Sequence, residues 1–399
     1  MKIPFNKPDI TEKEINAVSD VLRSGWITTG PVTKQFEKDL AAYMDVPNVV
    51  CVNSQTAGAE LVLRLLGIGP GDEVIVPAYT YTASCSVIYH VGATPVIIDS
   101  QPDSPEMDYD QMEAAITEKT KVIIPVDLGG ILCNYQRIYQ AIENKKTLFR
   151  ANSENTYQAI FQRIIILADT AHSLGAEIDD LKSGNIADFS SFSFHAVKNL
   201  TTGEGGAVTW RNRTDMDNKE LYKTFMLLSL HGQDRDAFTK TQIASWEYDV
   251  IEPWYKCNMP DILAALGRAQ LERYPDILVK RHAIIKKYNQ AFADLPVKGL
   301  NHFSHGQKSS GHLYFLRIDN YDEQQRNEFI SKMAEQGVVC NVHYKPLPML
   351  SAYIERGFDI KEYPNAYNYY KSMVTLPLYS SLTDQQIDYI ITCVRNLLK

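Results

Sequence analysis

Short apolar runs alternate with stretches of helical spacing along most of this chain. Residues 49–52, 73–76, 94–98, 122–125 and 163–167 each read as a buried strand, and the segments between most of them carry helical patterns. Strands alternating with helices predict an α/β fold built on a mostly parallel sheet wound on both faces. Residues 9–22 form the first helix: Thr11 with Glu14 three positions on is a capping box, and Ile15, Val18 and Leu22 follow at helical spacing. Residues 54–57 lead into a helix over 58–66, and Tyr79 and Tyr81 begin the next one after Pro77. An amphipathic helix over 261–274 opens a second region with strands at 314–318 and 338–342 and helices such as 324–336. The pattern divides the chain into a large domain, 1–250, and a smaller C-terminal α/β domain, 251–399.

Residues 74–98 contain no Asp, Glu, Lys or Arg, yet Pro77, Gly92 and Pro95 interrupt them. Strand, helix, strand accounts for this run better than a membrane span. Gly67, Gly69 and Gly71 mimic a dinucleotide fingerprint, but they follow a helix and precede a strand, the reverse of the required order. They read as a helix stop and a turn.

The 399 residues, 45% of them hydrophobic, can bury more than one core. A formal charge of −8 with both signs scattered argues against nucleic acid or an anionic membrane as a partner. Six widely spaced cysteines show no disulfide rhythm, and the first residues lack the apolar core of a secretory signal, so a cytoplasmic location is expected. Nine histidines include no HExxH or Cys/His cluster, so no metal is expected.

The chemistry centres on residues 191–208, SFSFHAVKNLTTGEGGAV, which set Lys198 between a strand and a glycine-rich turn. A lysine amine attacks carbonyls once it sheds its proton, and pyridoxal phosphate (PLP) enzymes exploit this as a Schiff base. The strand over 163–167 delivers Asp169 to its carboxyl end, the usual place for ligand contacts in an open α/β sheet. An aspartate there can pair with a protonated pyridine nitrogen. Alone, a lysine is most often solvated and a strand-terminal Asp most often caps a helix.

With VNSQTAGAELVLRLLGIGPGDEVIVPAYTYTAS, LADTAHSLGA, WYKCNMPDILAALG, VHYKPLPM and LPLYSSLTD in the same order, the chain resembles the DegT/StrS-type nucleotide-sugar aminotransferases over nearly its whole length. The resemblance implies a fold-type I PLP-dependent transferase with Lys198 as Schiff-base lysine and proton shuttle and Asp169 on the ring nitrogen. It places Thr56, Ala57 and Ser193 on the cofactor phosphate, Tyr81 on the ring face and His172 on the ring oxygen. Thr29, His343 and Tyr344 would face the sugar, and residue 258 would reach the neighbouring subunit's phosphate site in a homodimer. Each also has a plain structural reading, as turn, cap or core residue.

Three departures stand out. Gln55 occupies a position usually held by glycine; Lys256 and Asn258 replace Asn and Arg, with Asn258 favoured for the cross-subunit contact; and 143–163 is a longer, more polar crossover that reads as an extra helix with a surface loop. A loop is also expected at 232–241. The implied reaction moves an amino group from an amino acid, L-glutamate, to a nucleotide-linked keto-sugar, a step of polysaccharide biosynthesis. Two alternatives stand beside it: a PLP-dependent sugar dehydratase, in which histidine replaces the lysine, and a non-catalytic regulatory protein on the same scaffold.

Overall fold

The computed structural model describes residues 1–234, 247–304 and 306–398. Its centre is a seven-stranded sheet made of β1 (Val49–Val52), β2 (Glu73–Pro77), β3 (Thr94–Ile98), β4 (Thr120–Ile123), β5 (Ile165–Asp169), β6 (Phe189–Ser193) and β7 (Gly206–Trp210). The spatial order is β1-β7-β6-β5-β4-β2-β3. All neighbours are parallel except those of β7, which runs antiparallel to β1 and β6. Alternate residues feed two cores. Val74, Val76, Val122 and Leu167 face one, while Ile75, Ile123 and Ile166 face the other. Both faces are therefore dry, which is why the strands read as continuous apolar runs rather than alternating ones.

The helices are fixed by local chemistry. In α1 (Glu12–Ser24) the Glu14 carboxylate accepts the Thr11 N–H at 2.7 Å, completing the expected capping box. The same carboxylate accepts from Arg273 Nε at 2.6 Å, so the cap also ties α1 to the Asp261–Glu272 helix region. Helix α2 (Pro31–Met44) has no side-chain cap of its own at Gly30. Its orphan amides are met from far along the chain: Asp261 accepts from the N–H groups of Gly30 at 2.8 Å, Val32 at 3.1 Å and Thr33 at 2.9 Å. Helix α3 (Gln55–Leu65) starts at Ser54, whose hydroxyl accepts the Ala57 N–H at 3.1 Å.

A second sheet joins Val297–Lys298, Tyr314–Ile318 and Met373–Leu376, all antiparallel. Its core includes Ile285, Phe329 and Val394, and also Ile3 from the start of the chain. A third small sheet pairs Gln307–Lys308 with Glu177–Ile178, joining two hairpins distant in sequence.

Several expectations shift. The strand placed at 163–167 lies at Ile165–Asp169, so Asp169 is its last residue. The strand at 338–342 does not form; Val338 and Asn341 make isolated bridges to Ile3 and Thr375 instead. The helix expected to begin at Tyr79 is α4 (Ala83–His90), because Ala78 accepts from the Leu347 N–H and residues 80–81 are drawn out to line a crevice. The 143–163 segment carries the expected extra helix, Thr156–Phe161. Its Asn155 and Gln158 side chains donate to the carbonyls of Leu65 and Leu66 at 2.9 and 2.7 Å, satisfying the C-terminal end of α3. Most of the loop expected at 232–241 lies outside the described residues.

Candidate active site

β1 and β6 both run parallel to β5, so the ends of all three deliver side chains to one edge of the sheet. There Asp169, Ser193 and the start of α3 border a crevice of about 430 Å³. Lys198 enters it from the turn after β6, with its backbone N–H bonded to the His195 carbonyl at 2.9 Å. Close contact at the rear depends on Gly206: a Cβ there would lie 2.4 Å from the Ser54 carbonyl carbon and 2.5 Å from the Gln55 nitrogen. The glycine-rich turn thus lets β7 press against the start of α3.

Of the residues singled out from sequence, Thr56, Tyr81, Asp169, His172, Ser193, Lys198, His343 and Tyr344 all line this crevice. Ala57 does not; its N–H is held by the Ser54 cap. Thr29 and Asn258 do not line it either. They meet each other elsewhere, where the Asn258 amide donates to Thr29 Oγ1 and Lys256 Nζ donates to Asn258 Oδ1.

Asp169 is buried. Its Oδ2 accepts from Ser84 Oγ at 2.7 Å and its Oδ1 from the Ala171 N–H at 3.1 Å. Burial pushes the carboxyl above its ordinary range, opposed by the Ser84 and Ala171 hydrogen bonds and by the charge of Lys198. Burial likewise pushes the Lys198 amine down to about 8, while Asp169 pulls the other way. The two side chains thus feel each other's charge across one hollow.

His172 Nδ1 accepts the Gly129 N–H at 3.2 Å, so its hydrogen sits on Nε2, which donates to the Tyr344 oxygen at 3.2 Å. Burial holds this imidazole well below its ordinary range, and Lys198 and His343 add to the effect. It is therefore a neutral donor at physiological pH. The Tyr81 ring, 57% exposed, stands 5.5 Å from that of Tyr344 at the mouth.

A layer behind these groups was not legible in sequence. Ser84 orients Asp169. Asp127, fully buried, accepts from the Cys133 N–H at 3.0 Å, Tyr135 OH at 2.9 Å and Ser173 Oγ at 2.8 Å. His312 packs 4.3 Å from the ring of His172. Asp127 and His312 sit in no motif of recognisable spacing, and Ser84, though it closes one of the stretches that carry the family resemblance, has no role readable there; only the fold sets the three behind the crevice.

Residues 8–395 match the DegT/DnrJ/EryC1/StrS aminotransferase family. The chain belongs to this family. SpsC of Bacillus subtilis, a spore coat polysaccharide biosynthesis protein, is 37% identical over all of this chain and 97% of its own length. Spr1654 of Streptococcus pneumoniae, assigned as a sugar aminotransferase, has a PMP-form structure 54% identical to this chain, with a TM-score of 0.96 and 99% of each chain covered. Its PLP form gives 52% identity and a TM-score of 0.95, with all of both chains covered. Helicobacter pylori PseC, an aminotransferase involved in pseudoaminic acid biosynthesis, gives 26% identity and a TM-score of 0.85, covering 100% of this chain and 99% of its own.

The protein is a PLP-dependent aminotransferase of the fold-type I class, and the crevice fits its cofactor. Lys198 and Asp169 share the hollow, and the N-terminal end of α3 offers backbone donors to a phosphate. Gln55 Nε2, in the first turn of that helix, is buried without a hydrogen-bond partner among the described residues, the kind of donor an anion satisfies. Among the described residues no helix is long and apolar enough to cross a membrane.

Proposed function

We propose that this enzyme takes an amino group from an amino acid, L-glutamate, and places it on a keto-sugar carried by a nucleotide. The observation that carries the reading is the pairing of Lys198 and Asp169 in one crevice whose lining also includes hydroxyls, the Gln55 amide, the neutral imidazoles of His172 and His343, and the His195–Glu204 pair. Such walls suit a polyhydroxyl ligand. The names of SpsC and PseC, both tied to carbohydrate biosynthesis, point the same way.

In this reading Lys198 would hold the cofactor aldehyde and, when displaced, would be the group that moves the proton at the amino acid's Cα. Its amine, depressed to about 8, is close enough to working pH to give and to take that proton. PLP, when bound, supplies the electron-poor ring that absorbs the electron pair left at Cα. Asp169 would hold the ring nitrogen's proton; Thr56, Ser193 and the α3 amides would hold the phosphate; His172 Nε2 would donate to the ring oxygen; Tyr81 would cover one face. His343 and Tyr344 line the sugar side. In the homodimer of this reading Asn258, with Lys256 as its possible substitute, would reach the phosphate of the neighbouring subunit; the two form a polar cluster with Thr29 outside this crevice.

The test is a two-stage incubation. L-glutamate should convert the coloured protein to its amine form with one equivalent of 2-oxoglutarate released. Freed of 2-oxoglutarate, that form should return to the original colour with nucleotide-linked keto-sugars and, by reversal of the first stage, with 2-oxoglutarate, but not with the free keto-sugars of the same panel. Return with keto-acids alone would overturn the acceptor assignment.

A further inference from the structure

A second, smaller hollow of about 100 Å³ shares Lys198, His343 and Tyr344 with the crevice and is otherwise walled by residues that include Asn6, Asn341 and His312. It has the volume for about three waters and enough polar groups to hold them.

The ring of His312 is fixed in one tautomer. Asn199, the residue after Lys198, donates from Nδ2 to the Ser310 carbonyl at 2.8 Å, so its Oδ1 is the atom 2.9 Å from His312 Nδ1. Nδ1 therefore carries the hydrogen, and Nε2 presents a lone pair with no partner among the described residues. His172, its ring 4.3 Å away and tilted by 42°, has the opposite polarity, because its Nδ1 accepts from Gly129. One imidazole of the pair offers a donor and the other an acceptor. The backbone around His312 is held rigidly: its N–H donates to Gly129 O at 3.1 Å, and Arg281 donates to its carbonyl at 2.6 Å.

We propose that His312 is a positioning residue for Lys198: its Nε2 accepts a hydrogen bond from the lysine amine, through water in the small hollow, and so sets the pH at which Lys198 yields its proton. This assignment rests on Lys198 being the reactive amine of the function proposed above. The other charged or titratable groups around the lysine are Asp169 and His172 beyond β5, His195 and Glu204 in its own turn, and His343, Tyr344 and Tyr81 across the crevice; Arg281 lies behind His312. Asp169 also favours the ammonium, whereas burial and any positive neighbour oppose it. His312 remains neutral, since burial, with His172 and Lys198 adding to it, holds it well below its ordinary range.

A hydrogen bond accepted from the charged amine favours the charged form, so removing the acceptor lowers the pH at which the amine is free. His312→Phe should shift the Lys198 titration down by about one pH unit, making the amine roughly tenfold more reactive below its midpoint. His312→Gln, which keeps an acceptor at that depth, should restore the wild-type midpoint. The primary readout is competitive acylation of the cofactor-free protein with trace acetic anhydride across pH, with mass spectrometry of the peptide bearing Lys198. Should His312→Phe not fold, Asn199→Leu frees the imidazole to turn its lone pair away and should shift the midpoint in the same direction. An unchanged midpoint in these variants, or equal shifts in the Phe and Gln variants, would overturn the assignment. The pH dependence of PLP capture gives a second readout. Failure of the wild-type protein to capture PLP would sink the proposed function, while the acylation result would still decide the role of His312.

Discussion

Asp127 gives the sharpest quantitative test of how the site is supported. It is 0% exposed, and burial pushes its carboxyl up to about 7 despite three hydrogen bonds that favour the charge. In the unfolded chain the same group titrates near 3.8. The folded pKa is raised, so the stability this group contributes is fully present below 3.8 and is lost as pH rises through about 7. About three pH units at about 1.4 kcal/mol each make a penalty of about 4 kcal/mol at pH 8.

Asp127→Asn should escape that penalty. An amide oxygen in place of Oδ1 keeps the Cys133 and Tyr135 bonds, and the new NH₂ donates to Ser173 Oγ. The Ser173 hydroxyl then turns its hydrogen to Ser183 Oγ, 2.7 Å away. Urea unfolding of the cofactor-free wild type and variant should show nearly equal stability at pH 4 and a variant advantage growing to about 4 kcal/mol at pH 8. A difference that stays flat with pH, or a variant that weakens as pH rises, would refute the reasoning.

Other perturbations address the chemistry and its frame. Lys198→Ala should lose the visible absorption band and the glutamate half-reaction, while in the wild type the rate of PLP capture, followed by stopped flow, should climb as pH rises through about 8 because only the neutral amine attacks. Asp169→Asn should still bind PLP but lower kcat by roughly a hundredfold or more in steady-state assays, since a neutral amide cannot balance a charged ring nitrogen. Gly206→Ala, forced against the Ser54 and Gln55 backbone, should cost about 1–3 kcal/mol in denaturation and weaken PLP binding measured by titration. Thr11→Ala should remove about 1 kcal/mol through the lost cap, with kcat unchanged.

The parts of the fold and site written in local pattern were legible beforehand. The capping box at Thr11 needs only residues a turn apart, and the buried strands announce themselves as apolar runs. Lys198 and Asp169 were identifiable because strand-to-turn transitions mark the carboxyl edge of the sheet. The misplaced strand at 338–342 shows the converse: its residues are apolar enough for a ladder, but Ile3, more than three hundred positions earlier, takes one bridging position and Thr375 another. Asp261 as the remote cap of α2, and Ser84, Asp127 and His312 behind the crevice, depend on contacts between distant segments. No spacing rule reaches that far. Tyr79 and Tyr81 read as the start of a helix because core, crevice-lining and helical tyrosines look alike in sequence; tertiary contacts bury Tyr79 in the core and draw Tyr81 out to the crevice.

The small third sheet bears on how the active centre is held together. Its hairpin near residue 303 is laced to the one at 177–182, and just beyond it the 309–313 strip is pinned to Gly129, Gly130 and the carbonyl of His172. The segments that bear Gly129, His172 and His312 are thereby riveted into a single hydrogen-bonded block behind the crevice. A change that loosened the hairpin near residue 303 would thus be felt at the imidazole of His172, far from it in sequence, through the carbonyl that Ser310 holds.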